Sequence, residues 1–93
     1  MTMTSRPALT RKARLRFDPI SHEHLLLSPE RGLVLNRTAN EIVQLCTGAY
    51  TVGMMIDILE TRHPDLSRIA LAQEVDEFLF ALQQRGLIQE ATA

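Results

Sequence analysis

The sequence predicts an α+β domain in which a three-stranded antiparallel sheet comes first and a three-helix bundle follows. Three observations carry this. The apolar period is about two before residue 36 and about three and a half after it. Pro- and Gly-bearing turns separate the early segments. Ninety-three residues is the size of one core, and Leu, Ile, Val and Phe supply 27 of them, enough for a folded chain.

Residues 1–11 contain Thr, Ser and Pro7 without an apolar period and are expected to form a flexible basic tail ahead of a single domain over residues 12–90. From Ala13 to Phe17, Ala13, Leu15 and Phe17 alternate with Arg14 and Arg16, the period of a half-buried strand. Asp18-Pro19 breaks it. A second apolar run, His24 to Leu27, ends at Ser28-Pro29-Glu30-Arg31-Gly32, where Pro suits the second position of a type I turn. Leu33-Val34-Leu35 is the third strand. Thr38 and Glu41 have the spacing of a capping box and are expected to start the first helix, whose apolar face is Ile42, Leu45 and Cys46 and whose left-handed cap is Gly48. The second helix runs from a Thr51 cap to His63, because Pro64 disfavours continuation. The third starts at Asp65 or Ser67 and runs to Arg85, with Gly86 placed to stop it. On its wheel Leu71, Val75, Phe78, Leu79 and Leu82 share an arc of about 100° and are expected to be core. Ile69 and Phe80 form a second apolar strip to the side.

Charge is unevenly spread: residues 1–16 carry five bases and no acid, while the remainder carries five bases against eleven acids. A sheet followed by helices resembles a winged helix-turn-helix with the wing first, and that order raises a small DNA-binding transcriptional regulator as one reading. Yet Thr51 to Arg85 holds three bases and six acids, a balance that repels phosphate, so no specific nucleic-acid partner is expected. A structural adaptor without a peptide ligand is a third reading. The longest apolar run, Phe78 to Leu82, is too short to span a bilayer, and residues 1–5 lack a signal-peptide core, so a soluble cytoplasmic protein with no membrane partner is expected.

Enzyme chemistry finds little to stand on. His22 and His24, two apart, would share one strand face but lack a third metal ligand. Cys46 lies on an apolar helix face, where a thiol is a core group rather than a nucleophile. Asp76 and Glu77 are adjacent in a helix and diverge. No phosphate loop is present. No catalytic residue, metal or cofactor is expected.

Arg14-Leu15-Arg16-Phe17-Asp18, Leu26-Leu27-x-Pro29-Glu30, Leu35-Asn36-x-Thr38-Ala39-x-Glu41-Ile42, Leu45-Cys46-x-Gly48 and Val75-x-x-Phe78-Leu79-x-x-Leu82 together resemble the PqqD family over residues 12–88. Thr47 departs from the acid usual there. The resemblance implies a non-catalytic peptide chaperone in pyrroloquinoline quinone (PQQ) biosynthesis, a recognition element for ribosomally made, modified peptides. It would bind the PqqA precursor peptide and present it to PqqE, the radical S-adenosylmethionine enzyme that forms a Glu–Tyr carbon–carbon crosslink. In related elements the peptide lies between the third strand and the third helix and adds to the sheet. The residues here agree, because the end of the meander leaves main-chain groups without an assigned partner. The expected peptide-binding residues are therefore Gly32, Leu33, Val34, Leu35 and Asn36, with Ile69 and Phe80 as groove wall. Monomer and homodimer both remain open.

Overall fold

A computed structural model describes residues 1–91. In chain order the elements are β1 (Pro7–Leu9), β2 (Arg14–Asp18), β3 (Glu23–Leu27), β4 (Gly32–Leu35), α1 (Arg37–Leu45), α2 (Val52–Arg62), α3 (Arg68–Gln84) and β5 (Ile88–Glu90). The three-stranded sheet has the order β2-β3-β4, antiparallel throughout, and β1 pairs with β5 in a separate two-stranded ribbon.

The alternation in β2 has the expected consequence. Leu15 pairs with Leu26, and Leu26 with Leu33; Phe17 pairs with His24, and His24 with Leu35. These rows share one face, which packs Leu26 and Leu35 into the core. Arg14 and Arg16 are exposed on the other. Phe17 sits at the end of the inner face and stays exposed, its ring 4.9 Å from that of His24 and 6.3 Å from that of His22. His22 lies in the β2–β3 turn at φ 57°, so the two histidines do not share a strand face. Among the described residues no group of three His, Cys, Asp or Glu side chains is placed to hold a metal.

Asn36, not Thr38, caps α1: its Oδ1 accepts from the Ala39 amide at 2.8 Å, and the helix begins at Arg37. The Thr38–Glu41 capping box does not form, because Glu41 is engaged elsewhere. Its Oε2 lies 2.6 Å from His63 Nε2, tying α1 to the end of α2, and Arg37 approaches its other oxygen at 3.6 Å. The Thr51 hydroxyl accepts from the Met54 amide at 3.1 Å, and the Ser67 hydroxyl from the Ala70 amide at 3.1 Å. α3 ends in a Schellman motif, with Leu87 N–H donating to Leu82 and Gly86 N–H to Gln83 while Gly86 takes φ +70°. Gly48 also has positive φ, but two residues beyond the α1 cap at Cys46; its amide donates to Pro7, and a Cβ there would meet that of Ala91 at 2.9 Å.

The segment expected to be a flexible tail is built into the fold. Pro7 is buried, Ala8 forms a bridge with Thr47, Leu9 N–H donates to Cys46, and Ala91 N–H donates to Arg6. Farther out, Val52 and Gly53 amides donate to Ser5 and Met3. These bonds satisfy both sides of a three-residue strand whose partners lie about forty and eighty positions away, which no local pattern reveals.

The core gathers Leu26, Leu35, Ile42, Val43, Met55, Ile56 and Leu59 against Leu71, Val75, Leu79 and Leu82 of α3. Cys46 belongs to it: its Sγ lies 3.3 Å from the Ile42 carbonyl, and burial pushes the thiol up from its ordinary 9.0 to about 12. Phe78, expected in this stripe, is only partly buried and packs at its margin. No helix among the described residues is long and apolar enough to cross a membrane.

Candidate functional site: a groove beside an open strand edge

Among the described residues β4 pairs on one side only, with β3. Which of its groups are left free follows from the turn before it. Ser28 N–H donates to the Arg31 carbonyl at 3.0 Å, so that pair is hydrogen-bonded. Opposed pairs in an antiparallel ladder alternate. Leu26/Leu33 and His24/Leu35 are therefore bonded, and Leu27/Gly32 and Leu25/Val34 are not. Gly32 and Val34 consequently direct their N–H and C=O groups away from β3, to the open edge. Val34 projects its side chain to the outer face, 57% exposed.

That edge borders a groove of about 370 Å³ whose lining joins Leu33–Asn36 of β4 and the α1 cap to Glu74, Glu77, Phe78 and Ala81 of α3. A second depression of about 270 Å³ shares Leu33 and continues past the start of β4 to Arg31, Arg85 and Leu87. The two adjoin at Leu33 and together make a trough beside β4, with Glu74 and Glu77 in the first depression and Glu30, Arg31 and Arg85 in the second. Among the described residues β2 leaves the other edge of the sheet unpaired as well, but there Arg14 and Arg16 stand exposed, and such charges discourage strand addition.

Of the residues expected at the site, Leu33, Val34, Leu35 and Asn36 line the groove, and Gly32 continues the same edge. Ile69 and Phe80 do not line it. They are 82% and 59% exposed and lie about 100° or more around α3 from Phe78 and Ala81. The wall is built instead by Phe78, Ala81 and the two glutamates. Phe78 was readable as apolar at helical spacing, but nothing in a helix pattern separates a residue that closes the core from one that ends at a groove.

An open antiparallel edge facing a helix across an apolar trough defines a class of small α+β domain suited to take an extended segment as an added strand. Comparison with known proteins narrows the class. The family described as coenzyme PQQ synthesis protein D (PqqD) matches residues 23–88, and the chain belongs to it. A "PqqA binding protein" of Rhodopseudomonas palustris strain TIE-1 is 41% identical over 88 residues, covering 95% of this chain and 85% of the relative. A bifunctional coenzyme PQQ synthesis protein C/D of Methylorubrum extorquens is 31% identical over 83 residues, which is 89% of this chain and 22% of that longer one. Among solved structures, the solution structure of the PqqD truncation of Methylobacterium extorquens PqqCD superposes with a TM-score of 0.75. It is 31% identical and covers 90% of this chain and 88% of that one; its description is a functional, stand-alone recognition element for ribosomally synthesized, post-translationally modified peptides.

Proposed function

We propose that the protein binds a PqqA-type precursor peptide as an added strand along β4 and presents it to a PqqE-type radical S-adenosylmethionine enzyme, itself performing no chemistry. The observation that carries this is the open edge at Gly32 and Val34 facing Phe78 and Ala81. Main-chain bonds there supply affinity, and the trough supplies pockets for alternate side chains. Support comes also from the relatives that carry the name PqqA binding protein, and from the relative in which parts C and D share one chain, which keeps a D-type module beside another protein of the pathway. We further read α2 and α3 as the paired helices of a winged helix-turn-helix with the wing first, acting in the cytoplasm. The acidic wall of α3 opposes phosphate and so disfavours the DNA-binding alternative.

Titrating the isotopically labelled protein with a synthetic PqqA peptide tests the reading. Amide shifts are expected to cluster on residues 32–36 and on the Glu74–Ala81 face of α3. Shifts confined to α2 and residues 1–12 would overturn it.

A further inference from the structure

The trough has unlike ends. The depression lined by Leu33–Asn36 carries Glu74 and Glu77; the one that reaches past the start of β4 carries Arg31 and Arg85. Glu30 also lines the second depression, and Lys12 Nζ lies beside Gly86, the residue after Arg85. Among the described residues none of Glu74, Glu77, Arg31 and Arg85 is in an ion pair, although Glu41, Asp57, Glu60 and Arg68 all are. Glu77 accepts only a neutral bond, from Gln73 at 3.3 Å. Arg85, just past α3, lines the depression with Arg31 ahead of β4, whereas Glu74 and Glu77, earlier in α3, line the one with Leu35 and Asn36 at the end of β4, so the charge changes sign along the edge. From Glu77 to Arg85 the helix rises about 12 Å. Four steps of an extended strand cover about 13 Å and return side chains to the same face.

We propose that this trough is charge-ordered. Glu74 and Glu77 at one end, with Arg31 and Arg85 at the other, select an extended peptide carrying a cation and an anion four residues apart with an apolar residue midway. The cation lies beside Leu35, the anion beside Arg31, and the apolar residue faces Phe78 and Ala81. Added antiparallel, as every strand of this sheet is paired, the peptide presents its cation before its anion. A peptide of reversed order matches the charges only by adding parallel, the weaker pairing, or matches the direction only by opposing them. This inference rests on the strand-addition reading and assigns specificity within it.

The test uses two synthetic peptides of one composition, acetyl-Gly-Lys-Thr-Val-Thr-Glu-Gly-amide and its Lys/Glu-exchanged counterpart, titrated to millimolar concentration against the whole chain while amide shifts are followed. The first is expected to bind about tenfold more tightly at low salt, the difference shrinking as salt screens the exposed charges. The combined variant Glu74→Lys, Glu77→Lys, Arg31→Glu, Arg85→Glu should invert the order of affinity. Should that variant fail to fold, either pair of substitutions alone should erase the preference. Equal affinities, with shifts on residues 32–36 for both peptides, would overturn the charge ordering and leave strand addition standing. If neither peptide moves those amides while a PqqA peptide does, the pattern assigned here is wrong; if PqqA does not move them either, the strand-addition reading falls with it.

Discussion

β1 and β4 are both short strands, and they differ in what lies on their second side. β1 is held by β5 on one side and by the residues after α1 on the other, through Ala8 with Thr47 and Leu9 with Cys46. Among the described residues β4 pairs with β3 alone. The same main-chain chemistry thus does two jobs. Where the chain supplies both neighbours, the hydrogen bonds fix its ends to the core; where it supplies one, they remain available to another chain.

The largest effect should come from breaking the closed strand. Deleting residues 1–9 removes the partner of β5 and several main-chain bonds at about 1 kcal/mol each, together with buried Pro7. A loss of about 3–5 kcal/mol by chemical denaturation is expected, close to the whole stability of a domain this small. An unchanged midpoint would mean that β1 is an ornament rather than a lock.

Phe78→Ala should come next. A fully buried Phe would cost about 3–5 kcal/mol, and a partly buried one about 2 kcal/mol. Because Phe78 also walls the groove, the variant should weaken peptide binding, which calorimetry can separate from the stability loss read by denaturation.

How much of this contrast was legible follows from the range of the signals. α2 and α3 announce themselves through Thr51, Ser67, Pro64 and Gly86, all local. α1 was displaced at its start because Asn36 and Thr38 are both competent caps, and His63, distant in sequence, claims Glu41. β1 and β5 were invisible: each is three residues long and they meet across almost the entire chain. At the candidate site the strand edge is readable from the meander, whereas Ile69 and Phe80, expected in the wall, do not line the groove. A helical wheel orders faces without saying what each face meets. The charge order of the trough needs α3 laid against β4, which the sequence alone does not provide.

Cys46 reports on the closed strand with a smaller signal. Its carbonyl takes the Leu9 amide, and its thiol is pushed up to about 12. The folded value lies above the unfolded one, so the contribution to stability is fully present below about pH 9 and lost as pH rises toward 12. At neutral pH, labelling by a thiol reagent should require opening of the fold. Leu9→Pro should accelerate labelling and Val34→Pro should not; equal acceleration would erase the distinction between the strands.

The smallest effect is expected at the strip that faces neither the core nor the groove. Ile69→Ser with Phe80→Ser should change stability by no more than about 0.5 kcal/mol and leave peptide affinity unaltered. A loss of affinity there would return these residues to the site.

The open edge is tested most directly by proline at Val34. The amide of Val34 faces the groove and not β3, so Val34→Pro deletes a donor from the edge while leaving the β3–β4 ladder intact, whereas Leu33→Pro deletes a ladder bond. Circular dichroism and peptide titration of the two variants together decide the matter. Val34→Pro is expected to stay folded and to bind a PqqA peptide at least about tenfold more weakly, the loss of roughly one well-made bond with its desolvated partner, while Leu33→Pro loses stability first. A folded Val34→Pro protein that binds the peptide as tightly as the parent would contradict strand addition.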